Sequence, residues 1–174
     1  MNYHDIDIGE NVPEIFRAVI EIPRESRNKY EMHDELLILD RVLHSSLTYP
    51  TNYGFIPQTQ AKDGDALDIL VWSRFPLDPR CVVTVRPLGM LKMRDEQGED
   101  NKILAVPYND PFFEDTVDIE DVQEGFLKEM TQFFKRYKEL EEGKTTTVEG
   151  WFPKEVAKEY LLDAMERYNE LKNR

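Results

Sequence analysis

Residues 81–107 have the sequence CVVTVRPLGMLKMRDEQGEDNKILAVP, and this stretch decides the predicted fold. Its apolar runs at 81–85, 88–93 and 103–106 are short, and each is predicted to be a strand. The polar segment 94–101, which contains a glycine, connects the last two runs and is typical of a hairpin loop. Short strands that are separated by turn residues predict a small antiparallel barrel or sandwich.

Further strands are predicted before this stretch. Residues 16–22 alternate between apolar and other side chains, which is the pattern of a half-buried strand. The apolar runs 36–42 and 69–72 predict two more strands. Residues 49–57 carry several aromatic rings and two prolines, and we interpret them as an aromatic turn whose rings pack while the tyrosine hydroxyls remain available for hydrogen bonds.

The hydrophobic period changes from two to about 3.6 in the last third of the chain. Residues 118–142 are predicted to form one helix that ends at Gly143, with an apolar face made of Val122, Phe126, Met130, Phe133, Tyr137 and Leu140. A second helix is predicted over 153–171, with a stripe made of Val156, Tyr160, Ala164 and Tyr168. The sequence therefore predicts an α+β fold, in which a small closed antiparallel β-barrel, OB-like, has two C-terminal helices packed against it in a single domain over 1–174.

The composition excludes several classes of partner. The chain has 174 residues with 22 basic and 35 acidic side chains, so its formal net charge is −13. This acidity argues against nucleic acid and against anionic membranes as partners. The single cysteine, Cys81, excludes an internal disulfide and a multi-thiolate zinc site. Residues 1–7 have neither the basic nor the apolar region of a signal peptide, which predicts a cytoplasmic protein.

The motif most indicative of chemistry is Asp63-Gly64-Asp65-Ala66-Leu67-Asp68. Three carboxylates within six residues repel one another unless a cation lies among them, so the motif is a candidate metal site. A solvated Asp-Gly turn remains the alternative for these six residues in isolation. An EF-hand is excluded, because Leu67 stands where that loop needs an oxygen ligand. The second acidic cluster, at 95–100, is by itself typical of an exposed hairpin loop.

Together with other short motifs, this one resembles the family I soluble inorganic pyrophosphatases, prokaryotic type, over about residues 13–170. The motifs that carry the resemblance, in order, are Glu21-Ile22-Pro23, Lys29-Tyr30-Glu31, Asp40-Arg41, Tyr49-Pro50-x-Asn52-Tyr53-Gly54, Asp63-Gly64-Asp65-x-x-Asp68, Lys92-Met93-x-Asp95, Asp100-x-Lys102, Tyr137-Lys138 and Val148-Glu149-Gly150-Trp151. One position departs from the pattern. Ala66 stands where the family usually has proline, a residue that would stiffen the loop.

The resemblance implies a role for each matching residue. Magnesium ions would be held by Asp63, Asp68, Asp100, Asp95 and Glu21, with Glu31 nearby. Phosphate oxygens would be bound by Lys29, Arg41, Tyr53, Lys102, Tyr137 and Lys138, with Tyr49 in a supporting position. Asp65 would be the general base that takes a proton from the attacking water.

The implied function is Mg²⁺-dependent hydrolysis of inorganic pyrophosphate to two orthophosphates. The seven carboxylates outnumber the four cationic side chains, and about three or four Mg²⁺ would neutralise the site with pyrophosphate bound. The resemblance also implies a homohexamer. Two alternatives remain at this point: a hydrolase of another phosphoanhydride, such as a nucleotide or polyphosphate, and a non-enzymatic barrel that binds oligonucleotides. The net charge and the lack of a basic, aromatic stripe disfavour the second alternative.

Overall fold

The computed structural model describes residues 2–173. Within this range the elements are β1 (Phe16–Ile22), β2 (Asn28–His33), β3 (Leu36–Val42), β4 (Asn52–Ile56), β5 (Leu67–Val71), β6 (Val82–Asp95), β7 (Gly98–Glu99), β8 (Lys102–Pro107), α1 (Glu124–Arg136), β9 (Thr146–Pro153) and α2 (Lys154–Lys172). Short 3₁₀ turns lie at Tyr3–Asp5, Pro111–Phe113 and Ile119–Asp121. Between residues 2 and 173, no helix combines the length and the apolar character that a membrane crossing requires.

Five strands of the main sheet are hydrogen-bonded in a ring. Going round it, β1 pairs with β4, β4 with β5, β5 with β8, β8 with β6, and β6 again with β1. The short β7 and the longer β9 both pair with β6, while β2 and β3 form a separate two-stranded sheet. The α+β prediction is confirmed, and the description of the ring as a closed, OB-like barrel stays a prediction.

The prediction that all strands are antiparallel is wrong at one place. Strands β5 and β8 run parallel, with Asp68 opposite Lys102 and Val71 opposite Ala105. The reason is topological, because directions cannot alternate all the way round a ring with an odd number of strands. This parallel pair has a functional consequence, since the segments that enter β5 and β8 lie side by side at one edge of the sheet.

Three strand predictions also need correction. Residues 82–95 form one strand and not two, because a register shift between Pro87 and Gly89 absorbs the proline without ending the pairing with β8. Within the predicted aromatic turn, residues 52–56 form β4. Strand β9 was not predicted at all, although Thr145, Thr146, Thr147 and Val148 supply the β-branched residues that favour a strand.

The first helix is shorter than predicted. Asp118 and Asp121 cap each other's backbone in a separate 3₁₀ turn, and the extended backbone of Val122 then divides this turn from α1. The helix ends at Arg136, with Tyr137 as its C-terminal cap, and the chain beyond it leaves Leu140 65% exposed. The second helix matches its prediction within one residue at each end. Of the predicted stripe only Ala164 is buried, and the buried line is completed by Ala157 and Leu161.

Each helix packs on its own cluster of buried side chains. Met130, Phe133 and Phe134 of α1 join one cluster, while the buried line of α2 joins another together with residues of β1, β5 and β8. The β4 backbone at Gly54 lies very close to β1. A Cβ atom there would lie 1.9 Å from the carbonyl oxygen of Val19 on β1, so this position requires glycine.

Candidate active site

The buried ammonium of Lys102 forms the floor of the site. It donates hydrogen bonds to Asp68 Oδ2 at 2.7 Å and to Asp100 Oδ1 at 2.8 Å. It also donates to the Tyr53 hydroxyl at 3.1 Å. Burial alone would lower the pKa of Lys102, but the charges of Asp100 and Asp68 outweigh it and raise that pKa. Because Lys102 is only 1% exposed, its charge lies beneath the cavity described below and holds two carboxylates at the base of it.

Burial raises the pKa of carboxyl groups around this floor. For Asp100, burial is the largest cause and Asp68 adds to it, while Lys102 acts in the opposite direction; the net effect is a pKa well above the ordinary value. For Glu21 on β1, burial raises the pKa to about 8, although the carboxylate accepts the Met32 N–H at 2.6 Å. Carboxyl groups that keep protons near neutral pH are groups whose ionised form a bound cation would stabilise.

The turn before β5 presents two further carboxylates. The Ala61 N–H donates to the Asp65 carbonyl at 2.7 Å, and the Asp65 N–H donates to Asp63 Oδ1 at 3.1 Å. Gly64 between them has φ +99°, a conformation that a residue with a side chain rarely adopts. Burial raises the pKa of Asp63. The turn therefore holds its two aspartates next to Asp68, which follows at the start of β5.

The hairpin of β2 and β3 supplies cations and carboxylates from one side. Lys29 forms ion pairs with Glu31 on its own strand and with Asp40 Oδ2, at 3.1 Å, on the other strand. Arg41 pairs with its neighbour Asp40, and its Nε lies 2.6 Å from Glu141 Oε1 in the segment after α1. This last contact joins the hairpin to the opposite side of the site.

The end of α1 brings a tyrosine and a lysine to that opposite side. Tyr137 caps the helix and stacks on Phe133, with 5.2 Å between the ring centroids. Lys138 follows, and its ammonium lies 3.1 Å from Asp95 Oδ2 and 3.6 Å from Glu96 Oε1. The hairpin that ends β6 and the end of α1 are thereby tied together across the site.

Three tyrosines lie within or behind this arrangement. The Tyr49 ring is fully buried and contacts the Tyr53 ring edge-on, with 5.6 Å between centroids. Burial raises the pKa of Tyr49, Tyr53 and Tyr137, so all three hydroxyls stay protonated and can donate hydrogen bonds. Tyr53 and Tyr137 reach the cavity, whereas Tyr49 supports them from behind.

The structure brings nearly all of the predicted residues to one cavity of about 630 Å³. All seven predicted carboxylates line it, namely Glu21, Glu31, Asp63, Asp65, Asp68, Asp95 and Asp100. The predicted phosphate-binding residues in the lining are Lys29, Arg41, Tyr53, Tyr137 and Lys138. The two others are placed otherwise, with Lys102 beneath the cavity and Tyr49 behind it.

Several residues that line the cavity have no predicted role. Asp40, Glu96 and Lys144 all line the cavity, and Lys144 lies 3.2 Å from Glu96 Oε1. Hydrogen bonds from backbone N–H groups and from Lys144 overcome the effect of burial and lower the pKa of Glu96 to about 2. The signal for Glu96 was its position beside Asp95, but only the fold shows that Lys144 comes to the same place.

The donor chemistry of the cavity fits hard divalent cations, which prefer carboxylate oxygens. Within residues 2–173, however, no three acidic, His or Cys side chains already surround a common point at which they could hold a metal ion. Asp68 and Asp100 point to Lys102, and Asp95 points to Lys138. The residues are therefore assembled as a charged cavity in which carboxylates are paired with lysines.

Comparison with known proteins agrees with this arrangement. The family model described as inorganic pyrophosphatase matches residues 18–169. The inorganic pyrophosphatase of Saccharolobus solfataricus is 45% identical over 163 residues, which are 91% of this chain and 95% of that protein. That of Aquifex pyrophilus is 44% identical over 172 residues, 97% of each chain. The crystal structure of inorganic pyrophosphatase from Thermus thermophilus superposes with a TM-score of 0.95 at 43% identity, covering 97% of this chain and 99% of that one. The chain therefore belongs to the inorganic pyrophosphatase family and is an enzyme that hydrolyses pyrophosphate.

Proposed function

We propose that this enzyme hydrolyses pyrophosphate in a Mg²⁺-dependent reaction in which Asp65 is the general base. The observation that carries the proposal is the convergence of seven carboxylates and the cations Lys29, Arg41 and Lys138 on one cavity. A cavity of this composition can take up several divalent cations together with a highly charged phosphate substrate. Phosphoryl transfer needs charge neutralisation and positioning more than covalent help from the protein.

The carboxylates would hold the metal ions. Asp63 and Asp100 lie on the two segments that enter the parallel strands β5 and β8, and Asp68 lies at the start of β5. We assign the first ion to these three carboxylates. Glu21, Asp95 and Asp100 would hold further ions, about three or four in all with substrate bound. When bound, such ions would neutralise phosphate charge and lower the pKa of the attacking water.

The cationic and tyrosine side chains would bind the substrate. Lys29 and Lys138 now pair with Asp40 and Asp95, and each can exchange a carboxylate oxygen for a phosphate oxygen. Arg41 offers a planar guanidinium, the geometry that binds two phosphate oxygens at once. Tyr53 and Tyr137 would donate hydrogen bonds from the wall, with Glu31 and Tyr49 in support. Lys102 would donate from the floor by exchanging one of the three oxygens that its ammonium now contacts for a phosphate oxygen.

Asp65 is suited to take the proton of the attacking water. Among residues 2–173 it forms no ion pair with a lysine or arginine, in contrast to Asp68, Asp95 and Asp100. Its own N–H, bonded to Asp63, fixes its position in the turn. A carboxylate that is positioned and unpaired remains free to accept a proton at that point.

The test is the Asp65→Asn variant, assayed as phosphate released from pyrophosphate in excess Mg²⁺. We expect turnover to fall by a factor of about 10² to 10⁴, the range for removal of a general base, with the fold intact by circular dichroism. Asp115→Asn is the matched control, because Asp115 is exposed and lies outside the cavity. Turnover in Asp65→Asn within threefold of the control would refute the assignment of Asp65.

We also propose a homohexamer in the cytoplasm, on the resemblance to the prokaryotic enzymes. The exposed apolar side chains of β3, Leu36, Ile38, Leu39 and Val42, support association because a second chain would cover them. Sedimentation equilibrium should give about six chain masses, and a monomer at micromolar concentration would contradict the proposal. Cell fractionation should recover the enzyme in the cytoplasmic fraction.

A further inference from the structure

An ion pair behind the cavity joins the two segments that carry the proposed metal ligands. Lys62 Nζ lies 2.9 Å from Glu99 Oε2. Lys62 directly precedes Asp63, and Glu99 directly precedes Asp100. Because β5 and β8 are parallel neighbours, the segments that lead into them run side by side, and this pair connects them just before they enter the sheet.

The Glu99 carboxylate is the centre of a small network. Its Oε1 accepts the Asn101 Nδ2 donor at 2.8 Å, and Asn101 Oδ1 in turn accepts the Met93 N–H at 3.1 Å. Burial and the nearby Glu99 carboxylate both raise the pKa of the Tyr160 hydroxyl on α2, which keeps that hydroxyl protonated beside the carboxylate. The network thus fixes the residue before Asp100 against β6, against α2 and against the turn that carries Asp63.

The network does not reach the substrate cavity. Lys62, Glu99, Asn101 and Tyr160 line a separate cavity of about 280 Å³, and none of them lines the cavity that holds the seven carboxylates. Lys62 and Glu99 therefore do not touch a substrate in the cavity, and the route that the contacts offer runs through the positions of Asp63 and Asp100. The neighbouring turn has Ala66 where proline would stiffen it, so the Lys62–Glu99 ion pair contributes more to the rigidity of this turn.

We propose that Lys62 and Glu99 are positioning residues that set the separation of Asp63 and Asp100 and so raise the affinity of the free enzyme for Mg²⁺. The inference rests on the proposed metal roles of Asp63 and Asp100. Residues that hold metal ligands in place typically change metal affinity by tenfold or more when they are removed. The Lys62 side chain is 57% exposed, and an exposed ion pair has a smaller effect.

The test is calorimetric titration of Mg²⁺ into the substrate-free enzyme. We expect the Mg²⁺ Kd to rise about tenfold in Glu99→Ala and about threefold in Lys62→Met, and to stay at the wild-type value in Lys62→Arg, which keeps the cation. Lys128→Met is the control for loss of a surface charge, because Lys128 pairs with Glu124 on the exposed side of α1, away from both cavities. In Lys62→Met, kcat at saturating Mg²⁺ should return to the wild-type value. Urea unfolding in EDTA should show the same midpoint as in the Lys128→Met control, which excludes a general folding defect as the cause of the weaker Mg²⁺ binding.

The outcomes separate the two proposals. Wild-type enzyme that binds Mg²⁺, with Lys62→Met and Glu99→Ala binding it equally well, overturns the positioning role alone. Wild-type enzyme that binds no Mg²⁺ overturns the proposed metal function and this inference with it. Because Lys62 is exposed, Lys62→Met tests the inference even where Glu99→Ala fails to fold.

Discussion

Replacement of Lys102 by methionine should destabilise the metal-free enzyme strongly, because it leaves two half-buried carboxylates without their cation. Lys102 is 1% exposed, and its ammonium lies 2.7 Å from Asp68 and 2.8 Å from Asp100. Removing one partner of a buried ion pair costs about 3 to 5 kcal/mol. The two carboxylate side chains are 25% and 13% exposed, so we expect the lower end, about 3 kcal/mol. Methionine keeps most of the apolar stem, so the loss is that of the ammonium, which also lies 5.1 Å from the Tyr53 ring centroid and 5.4 Å from the Phe134 ring centroid.

The assay is urea unfolding at pH 8 in EDTA and again in excess Mg²⁺, followed by tryptophan fluorescence at one protein concentration. In EDTA the free energy of unfolding should fall by about 3 kcal/mol relative to wild type. In Mg²⁺ the difference should shrink, since a bound cation would replace the missing ammonium. Lys128→Met is the control, because its side chain is 72% exposed and its ion pair should contribute less than about 1 kcal/mol. A loss in Lys102→Met no larger than that of the control would refute the account of the floor of the site.

Three further predictions concern stability. Gly54→Ala should abolish the soluble fold, because the new Cβ would lie 1.9 Å from the Val19 carbonyl oxygen. Gly125→Ala on α1, which has open space around it, should raise Tm. Equal Tm values for the two variants would contradict this. Ala66→Pro should stabilise the protein by about 0.4 to 1 kcal/mol in urea unfolding by restricting the unfolded chain, and destabilisation would show that the turn cannot accept proline. The pKa of Glu21 is about 8 in the folded state, well above its ordinary 4.5, so the metal-free folded protein keeps a proton that the unfolded chain loses. Its free energy of unfolding should therefore fall by up to about 1.4 kcal/mol per pH unit as pH rises from about 5 to about 8, and Glu21→Gln should remove that part of the slope.

The strands could be predicted wherever the sequence carries a clear period or apolar run. The alternation at 16–22 and the runs at 36–42, 69–72 and 103–106 correspond to β1, β3, β5 and β8. Two features could not be predicted, because they depend on pairing between segments far apart in the chain. Strand β9 forms by pairing with β6, more than fifty residues earlier, and the parallel direction of β5 and β8 follows from closure of the ring. The start of α1 could not be predicted, because capping by aspartates forms a separate 3₁₀ turn in front of it.

The candidate site could be predicted as a set of residues from the resemblance to the family, and the fold collects that set in one cavity. The contacts within the site could not be predicted. Arg41 and Glu141 are a hundred residues apart in the chain and meet at 2.6 Å, and Lys138 meets Asp95 in the same way. Neither pair leaves a local signal, since each depends on where α1 ends relative to the hairpins. The membership of the chain in the inorganic pyrophosphatase family also decides between the alternatives that the sequence left open. It favours an enzyme over an oligonucleotide-binding barrel.

The measurement that tests the central claim most directly is phosphate release from pyrophosphate and from ATP, each in excess Mg²⁺ and in EDTA. We predict rapid hydrolysis of pyrophosphate in Mg²⁺, loss of that activity in EDTA, its return when Mg²⁺ is restored, and hydrolysis of ATP at least a hundredfold slower, on the order of what a site built for one ligand achieves against another. Undiminished hydrolysis in EDTA would contradict the proposed role of the seven carboxylates. Equal rates with ATP would contradict a cavity fitted to pyrophosphate.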